Sequence, residues 1–184
     1  MPDGTPQCGA CLRQPLDLDS CHTATDYGYP WADVLSAFKF HGQPGWAHSL
    51  ARWMCSVPGV MPVLESADLV VPVPLAQPRL QERGFNQALL LARAMDSGKV
   101  DARLLLRVRH TQAQSQLSRA ARLRNLQSSL AVDPLRAMLV EQRRIVLVDD
   151  VMTTGATLQA CAGALRQAGA AHVHAIVFAR TPAP

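Results

Sequence analysis

Arg-Ile-Val-Leu-Val-Asp-Asp-Val-Met-Thr-Thr-Gly-Ala-Thr-Leu occupies residues 144–158. Residues Ile145–Val148 are an unbroken run of branched apolar side chains, too short for a helix of its own and too uniformly apolar for a half-exposed strand. This pattern predicts a parallel strand that is buried on both faces. Asp149 and Asp150 stand at its C-terminal end, and a helical pattern follows from Ala156 to Gln167. Since ligands of open α/β sheets bind beyond the carboxyl ends of the strands, these residues predict a binding edge.

The loop Thr153–Thr157 has the chemistry of an anion site. It offers backbone N–H groups, three hydroxyls and the positive end of a helix dipole, which suit a phosphate. The two acids would repel a bare phosphate, but they suit the cis hydroxyls of a ribose or a divalent cation. Together these groups describe a site for a ribose 5-phosphate. The spacing of a P-loop is absent, whereas an ordinary strand-turn-helix with two solvated acids stays open as an alternative.

Residues 146–157, Val-Leu-Val-Asp-Asp-Val-Met-Thr-Thr-Gly-Ala-Thr, resemble the signature for 5-phosphoribosyl-1-pyrophosphate (PRPP) in type I phosphoribosyltransferases. The resemblance implies a doubly wound, mainly parallel α/β sheet. It implies that Asp149 and Asp150 are the catalytic acids, which hold the ribose and Mg²⁺. It also implies a pocket for the 5′-phosphate, formed by Met152, Thr153, Thr154, Gly155, Ala156 and Thr157.

A second strand is predicted at Leu69–Val73, although Pro72 is unusual in a regular central strand. In a parallel sheet, the loop after this strand opens on the same edge as the two acids. Arg79 and Arg83 offer guanidinium groups for a pyrophosphate, and Gly84 lets the backbone come close. The pyrophosphate site predicted here consists of Arg79, Arg83, Gly84, Asn86 and Gln87.

Four other short motifs occur along the chain. They are Val-Pro-Val-Pro at 71–74, Arg-Gly-Phe-Asn-Gln at 83–87, Thr-x-x-Gln at 111–114 and Arg-Leu-Arg-Asn at 122–125. With the Asp-Asp-Val-Met-Thr-Thr-Gly loop, they resemble the ComF family of phosphoribosyltransferase-like proteins, which is associated with bacterial competence. The likeness runs from about Cys8 to Arg180. It implies Mg²⁺-dependent phosphoribosyl transfer, with pyrophosphate as the leaving group, and a link to DNA uptake.

A basic block lies between Ala102 and Val132, where no acidic residue occurs. Its arginines are Arg103, Arg107, Arg109, Arg119, Arg122 and Arg124. Such a block attracts polyanions, either a pyrophosphate or a nucleic-acid backbone. In type I enzymes the corresponding segment is a hood over the pyrophosphate, so the resemblance implies this role for Arg107, Arg109 and His110. Lys39, outside this block, could reach a substrate phosphate, and a solvated position on its helix stays open as the alternative. A basic surface loop away from any ligand stays open as the alternative.

Residues 1–60 are predicted to be a small helical, zinc-ribbon-like appendage, and residues 61–184 the phosphoribosyltransferase-like domain. Helical patterns occur at Trp31–His41 and Trp46–Met54. Cys8-Gly-Ala-Cys11 is half of a zinc knuckle, which Cys21 could extend to a Zn²⁺ site. ComF members usually carry two such cysteine pairs, so the zinc site of the family is incomplete here. A reduced pair without metal is the open alternative.

Three further elements follow from local patterns. A third strand is predicted at Arg103–Val108 and a last strand at Ala171–Ala179. Asp133 and Pro134 predict the start of a short helix. His172 and His174 share one face of the last strand and are assigned no role.

The chain has neither a secretory signal pattern nor a run of about twenty apolar residues, so a cytoplasmic protein without membrane insertion is expected. Five cysteines, an odd number, favour thiols or a metal over a disulfide framework. The expected ligands are PRPP and pyrophosphate. Nucleic acid and competence or DNA-processing proteins stay open as further partners, and a homodimer stays open as the oligomeric state. The alternatives to an enzyme are a non-catalytic adaptor that binds single-stranded DNA and a ligand-sensing regulator.

Overall fold

The computed structural model describes residues 16–40, 43–107 and 129–181. The strands are β1 (Ser20–Asp26), β2 (Leu69–Pro72), β3 (Leu105–Arg107), β4 (Leu130–Val132), β5 (Arg144–Met152) and β6 (His172–Arg180). The helices are α1 (Trp31–Phe40), α2 (Trp46–Cys55), α3 (Val60–Ser66), α4 (Gln77–Arg83), α5 (Gln87–Met95) and α6 (Ala156–Gln167). A 3₁₀ helix covers Pro134–Leu139, where the sequence predicts a short helix. The predictions for Cys8, Cys11, Arg109, His110, Arg119, Arg122 and Arg124 lie outside the described residues.

The main sheet contains four parallel strands in the order β1-β6-β5-β2. Strand β5 therefore has a neighbour on each side, and Ile145–Val148 are 0% exposed. This confirms the prediction of a parallel strand that is buried on both faces. The predicted third strand is present over Leu105–Arg107, but it pairs with β4 in a separate antiparallel ribbon.

Helices cover both faces of the sheet, as the doubly wound prediction requires. On one face, Leu158, Cys161 and Leu165 of α6 share a core with Leu147 of β5. On the other face, a second core joins residues of α1, α2 and α5 to the sheet. Its members include Leu35, Phe38, Leu50, Met54, Leu91, Val146 and Phe178. Because side chains alternate along a strand, β5 supplies both cores in turn. This confirms the predicted α/β fold class.

Strand β1 was not predicted from the sequence. It pairs in parallel with β6 at the edge of the sheet, with Ser20 opposite His174 and Asp26 opposite Arg180. Its sequence, Ser-Cys-His-Thr-Ala-Thr-Asp, is polar because an edge strand buries only part of its surface. The residues before position 60 thus contribute an edge strand and two helices to the sheet and core of the domain predicted for 61–184.

Replacing Leu147 with alanine should lower the free energy of unfolding by about 2–5 kcal/mol, because it leaves a cavity in the center of a core. Leu135→Ala is the matched control, since this leucine is 94% exposed. That variant should stay within about 0.5 kcal/mol of the wild type. Urea unfolding followed by circular dichroism measures both. Equal effects of the two variants would contradict the assigned core.

Candidate functional site

A cleft of about 400 Å³ opens at the carboxyl ends of β2 and β5. The cleft is lined by ten of the residues that the sequence predicts for the site. They are Lys39, Arg79, Arg83, Asn86, Gln87, Arg107, Asp149, Asp150, Thr153 and Thr157. These residues come from segments far apart in the chain, and the parallel sheet brings them to one edge. The lining does not include five other predicted residues, Gly84, Met152, Thr154, Gly155 and Ala156.

Asp149 and Asp150 lie within β5, which continues to Met152. Asp149 pairs in register with Val177 of β6, so the acids belong to the strand rather than to the loop after it. Successive side chains of a strand point to opposite faces. Asp150 accordingly meets α1, whereas Asp149 lies on the side of α6. Both still line the cleft, because it spans the end of the strand.

The two acids differ in their electrostatics. Burial raises the pKa of Asp149 well above its usual value, and the neighbouring charge of Asp150 raises it further. The backbone N–H of Asp150, which donates to Asp149 Oδ1 at 2.9 Å, and the charge of Lys39 oppose this rise without cancelling it. Asp149 therefore gains a proton at a higher pH than an ordinary aspartate does.

Lys39, at the end of α1, forms an ion pair with Asp150. Its Nζ lies 2.7 Å from Asp150 Oδ2, and the side chains of Lys39 and Asp150 are only 16% and 12% exposed. Lys39 was expected from the sequence to lie near the substrate, without a predicted partner. No spacing signal could have revealed the pair, because α1 and β5 are separated by about a hundred residues and meet only through packing.

The loop after β5 turns into α6 at Gly155. This glycine has φ +76°, a left-handed conformation that favours glycine, and it caps the helix. Thr153 and Thr157 line the cleft on either side of this turn. Thr154 instead accepts a hydrogen bond from the backbone N–H of Ala156 through Oγ1, at 3.4 Å. Met152 is buried, with 6% of its surface exposed, and packs in the core beneath α6.

The arginine side of the cleft is held by α4 and the start of α5. The guanidinium of Arg83 lies 4.8 Å from the centre of the Phe40 ring, and its Nη1 donates to Gln87 Oε1 at 3.1 Å. Arg83 Nε and Gln87 Nε2 are buried and have no hydrogen-bond partner among the described residues. Gly84 ends α4 with φ +76°, which lets the chain turn directly into α5. This side of the cleft therefore presents N–H donors of the kind that bind an oxyanion.

Asn86 lines the cleft and also holds two elements of the fold together. Its Nδ2 donates to the carbonyl of Val73 at 3.0 Å, and its Oδ1 accepts from the N–H of Leu89 at 3.3 Å. The side chain thus caps α5 and ties it to the end of β2, so its amide is already engaged in the fold. Asn86 positions the donors around it.

Tyr27 and Thr181 also line the cleft, although the sequence did not predict them there. Each directly follows a parallel strand, Tyr27 after β1 and Thr181 after β6. Applying the strand-end rule to β6 would have found Thr181, whereas Tyr27 follows a strand that was itself missed. Arg107, predicted for the hood, lines the cleft and donates through Nη1 to the carbonyl of Pro74 at 3.4 Å.

Cys21 lies on β1, where its Sγ is 3.9 Å from Met152 Sδ. Its two expected zinc partners lie outside the described residues, so the cysteine zinc site stays a prediction. Within the described part of the chain, no helix combines the length and apolar character needed to cross a bilayer.

Comparison with known proteins identifies the class of this chain. Residues 83–184, more than half of the sequence, match the family model described as the phosphoribosyl transferase domain. The match begins at Arg83 and includes β5, the two acids and the loop into α6. The chain is therefore a protein of the phosphoribosyltransferase class.

Two curated relatives narrow this class. The chain is 32% identical to the DNA utilization protein YhgH of Escherichia coli K12, over 95% of this chain and 78% of that protein. It is 34% identical to Competence protein F of Haemophilus influenzae, over 94% of this chain and 78% of that protein. The chain belongs to the ComF family of phosphoribosyltransferase-like proteins, which confirms the resemblance seen in its motifs.

A solved structure with a similar region is the glutamine PRPP amidotransferase from B. subtilis, complexed with ADP and GMP. The similarity covers 71% of this chain and 26% of that chain, at 28% identity and with a TM-score of 0.41.

The electrostatics of the acids predict opposite effects for two substitutions. At pH 8, Asp149→Asn should raise the free energy of unfolding, because ionising a group whose pKa is raised in the folded state costs stability. Lys39→Met should lower it by about 1–3 kcal/mol, because Asp150 loses its ion-pair partner. Urea unfolding at several pH values measures both effects.

The stabilisation by Asp149→Asn should fade as the pH falls from the raised pKa of Asp149 towards about 3.9, the ordinary value for aspartate, since the wild-type carboxyl then takes up a proton. Asp33→Asn, on the exposed side of α1, is the control for the substitution itself and should change little at any pH. A pH-independent effect of Asp149→Asn would argue against the raised pKa.

Proposed function

We propose that this protein binds PRPP together with Mg²⁺ and transfers its phosphoribosyl group, with release of pyrophosphate. One observation carries the proposal: a single cleft is lined by the two acids and two threonines of the signature and, from other segments, by three arginines. Those arginines are Arg79, Arg83 and Arg107. A cleft with carboxylates, hydroxyls and guanidinium groups suits a sugar that carries phosphate at both ends.

The donor groups fit the parts of PRPP separately. The loop with Thr153 and Thr157, at the N-terminus of α6, suits the 5′-phosphate. The buried N–H donors of Arg83 and Gln87 suit the pyrophosphate. The carboxylates of Asp149 and Asp150 suit the ribose hydroxyls, which donate hydrogen bonds to carboxylate oxygens.

Mg²⁺ fits the same acids. It is a hard cation that takes oxygen ligands, commonly one or two carboxylates together with the phosphates of a substrate. Asp149 and Asp150 would hold it at the end of β5. When bound, the ion supplies positive charge that neutralises the pyrophosphate leaving group.

In the proposed reaction, a nucleophile attacks the anomeric carbon as the bond to pyrophosphate breaks, through a sugar with cationic character. The protein has little covalent chemistry to do, so its residues act by positioning and by electrostatics. Arg83 is already oriented by Phe40 and Gln87 before any ligand arrives. Such preorganised donors need not rearrange as charge develops on the leaving group.

Ligand binding should depend on the charges of Lys39 and Asp149. The ammonium group of Lys39 neutralises Asp150 at 2.7 Å, and a bound cation would neutralise Asp150 in its place. Asp149, whose pKa is raised, must lose its proton to accept hydrogen bonds from a ribose or to bind a cation. Binding should therefore release protons and strengthen as the pH rises.

We also expect the protein in the cytoplasm, and a homodimer is compatible with the proposed function.

Calorimetric titration with PRPP and Mg²⁺ tests the binding step. The wild type should show saturable binding, and Asp150→Asn should weaken it by about tenfold or more, since one charge-assisted contact is worth roughly 1.5–3 kcal/mol. Asp33→Asn removes an exposed acid of α1 and should bind like the wild type. Wild-type affinity in a folded Asp150→Asn protein would refute the assignment of this acid.

A second candidate function is an adaptor that binds single-stranded DNA. The names of the relatives, DNA utilization protein and Competence protein F, favour it, as does the basic block. A groove of about 500 Å³ beside the start of β2 includes Arg103 of that block. Three further basic residues line it, Arg93, Lys99 and Arg136, together with Asp68 and Asp101, and Asp101 pairs with Arg136 at 2.6 Å.

Fluorescence anisotropy with labelled single-stranded DNA tests the adaptor. Binding should weaken with salt, and Arg119→Ala with Arg122→Ala should reduce the slope of log K against log salt by about 1.4, or about 0.7 per lost phosphate contact. Arg52→Ala with Arg144→Ala removes the same charge from exposed positions outside the block and should leave the slope nearly unchanged. No binding at low salt would exclude this function.

A further inference from the structure

A cluster of metal-binding side chains lies at the edge of the sheet opposite the cleft. Asp19 immediately precedes β1, and His172 and His174 open β6. One oxygen of Asp19 and one ring nitrogen of each histidine all lie within 4.8 Å of one another. The two imidazole rings are stacked, with centroids 6.2 Å apart and planes inclined by 13°. Strand β6 separates this cluster from the cleft by roughly 25 Å, at about 3.3 Å per residue.

A chain of hydrogen bonds links His174 to His22. The Oγ of Ser20 lies 2.9 Å from His174 Nδ1 and 3.0 Å from His22 Nε2. A hydroxyl can donate one hydrogen bond and accept another, so Ser20 can link two neutral imidazole rings.

One pair of tautomers leaves a nitrogen of His174 open to a metal ion. In it, Nε2 of a neutral His22 is the acceptor, and the hydroxyl of Ser20 donates to it. The oxygen of Ser20 then accepts from Nδ1–H of His174, which leaves a free lone pair on Nε2 of His174. Neutral imidazole is the form that binds metal ions, and a metal-binding histidine commonly donates its other N–H to a fixed partner.

Asp19 is held in place through one of its oxygens. Its Oδ2 accepts from the backbone N–H of Val173 at 2.7 Å and from Arg166 Nη2 at 2.6 Å. These two bonds occupy Oδ2 and leave Oδ1, which faces His172 Nδ1 at 3.6 Å.

We propose that Asp19, His172 and His174 bind one divalent transition-metal ion, for which Zn²⁺ is the natural probe. With metal–ligand bonds of 2.0–2.2 Å, two ligands of a tetrahedral site stand roughly 3.4 Å apart, close to the Asp19–His172 separation. Two imidazoles with one carboxylate favour zinc and its neighbours over Mg²⁺, which prefers oxygen ligands alone. Water would complete the coordination.

This site is separate from the predicted cysteine site. Cys21 and His22 are neighbours on β1, so their side chains point to opposite faces of the strand. Cys21 contacts Met152 in the core beneath α6, whereas His22 lies on the other face beside Gly59. The histidine cluster would join the start of edge strand β1 to β6. An ion that binds only the folded chain stabilises it.

Zinc titration of the full chain tests the proposal, by calorimetry on protein freed of metal with a chelator. The background variant Cys8→Ser with Cys11→Ser separates the cluster from the cysteine pair. It should bind one equivalent of Zn²⁺ and melt at a higher temperature when zinc is added. His172→Ala should weaken binding by about tenfold or more, and Ser20→Ala by about 10–100-fold through loss of the partner of His174. His48→Ala removes an exposed histidine outside the cluster and should bind like the background.

Cobalt substitution gives a second readout, which does not depend on stability. Co²⁺ in the cluster should show visible ligand-field bands without the near-ultraviolet charge-transfer band of thiolate ligands. His172→Ala is expected to fold, because the His172 side chain is 44% exposed, and a melt without metal checks this. Absence of saturable zinc binding in the background variant, or undiminished binding in a folded His172→Ala protein, would overturn the proposal.

Discussion

Burial of β5 on both faces is the constraint on which the rest of the structure depends. Its four apolar residues Ile145–Val148 are 0% exposed, so the strand must lie between two neighbours and under helices on both sides. The polar residues that follow can only emerge at the carboxyl edge of the sheet. The same alternation that feeds both cores sends Asp149 towards α6 and Asp150 towards Lys39 of α1. One strand thus couples the two layers of helices to the two acids of the cleft.

The sequence could predict what depends on local chemistry. The buried strand, the turn at Gly155, the capping of the 3₁₀ helix by Asp133 and most residues of the cleft follow from patterns a few residues long. What it missed depends on contacts between distant segments. The ion pair of Lys39 and the engagement of the Asn86 amide have no signal in spacing. Strand β1 escaped because an edge strand with one neighbour needs no apolar run.

Two charged groups of the cleft, Asp149 and Arg83, are partly removed from water, which costs free energy of folding. Burial works against the ionised form of Asp149, and the N–H of Asp150 and the charge of Lys39 lessen that cost. On the opposite wall, the ring of Phe40 and the amide of Gln87 fix Arg83, with a buried N–H still lacking a partner among the described residues. Both walls therefore become more stable when a ligand brings the opposite charge. A ligand that carries a cation and phosphates together satisfies both walls at once, which a lone anion or a lone cation does not.

The two edges of the sheet differ in the metal chemistry they offer. The carboxyl edge presents carboxylate and hydroxyl oxygens, which suit Mg²⁺ with a phosphorylated ligand. The opposite edge presents two imidazoles and a carboxylate, which suit a transition metal. Zinc also binds carboxylates, but at the cleft Asp150 is already paired with Lys39 at 2.7 Å. At the opposite edge, the cation Arg166 pairs with Asp19 through Oδ2, while Oδ1 lies 3.6 Å from His172 Nδ1. Asp19 thus keeps one oxygen for the proposed metal ion.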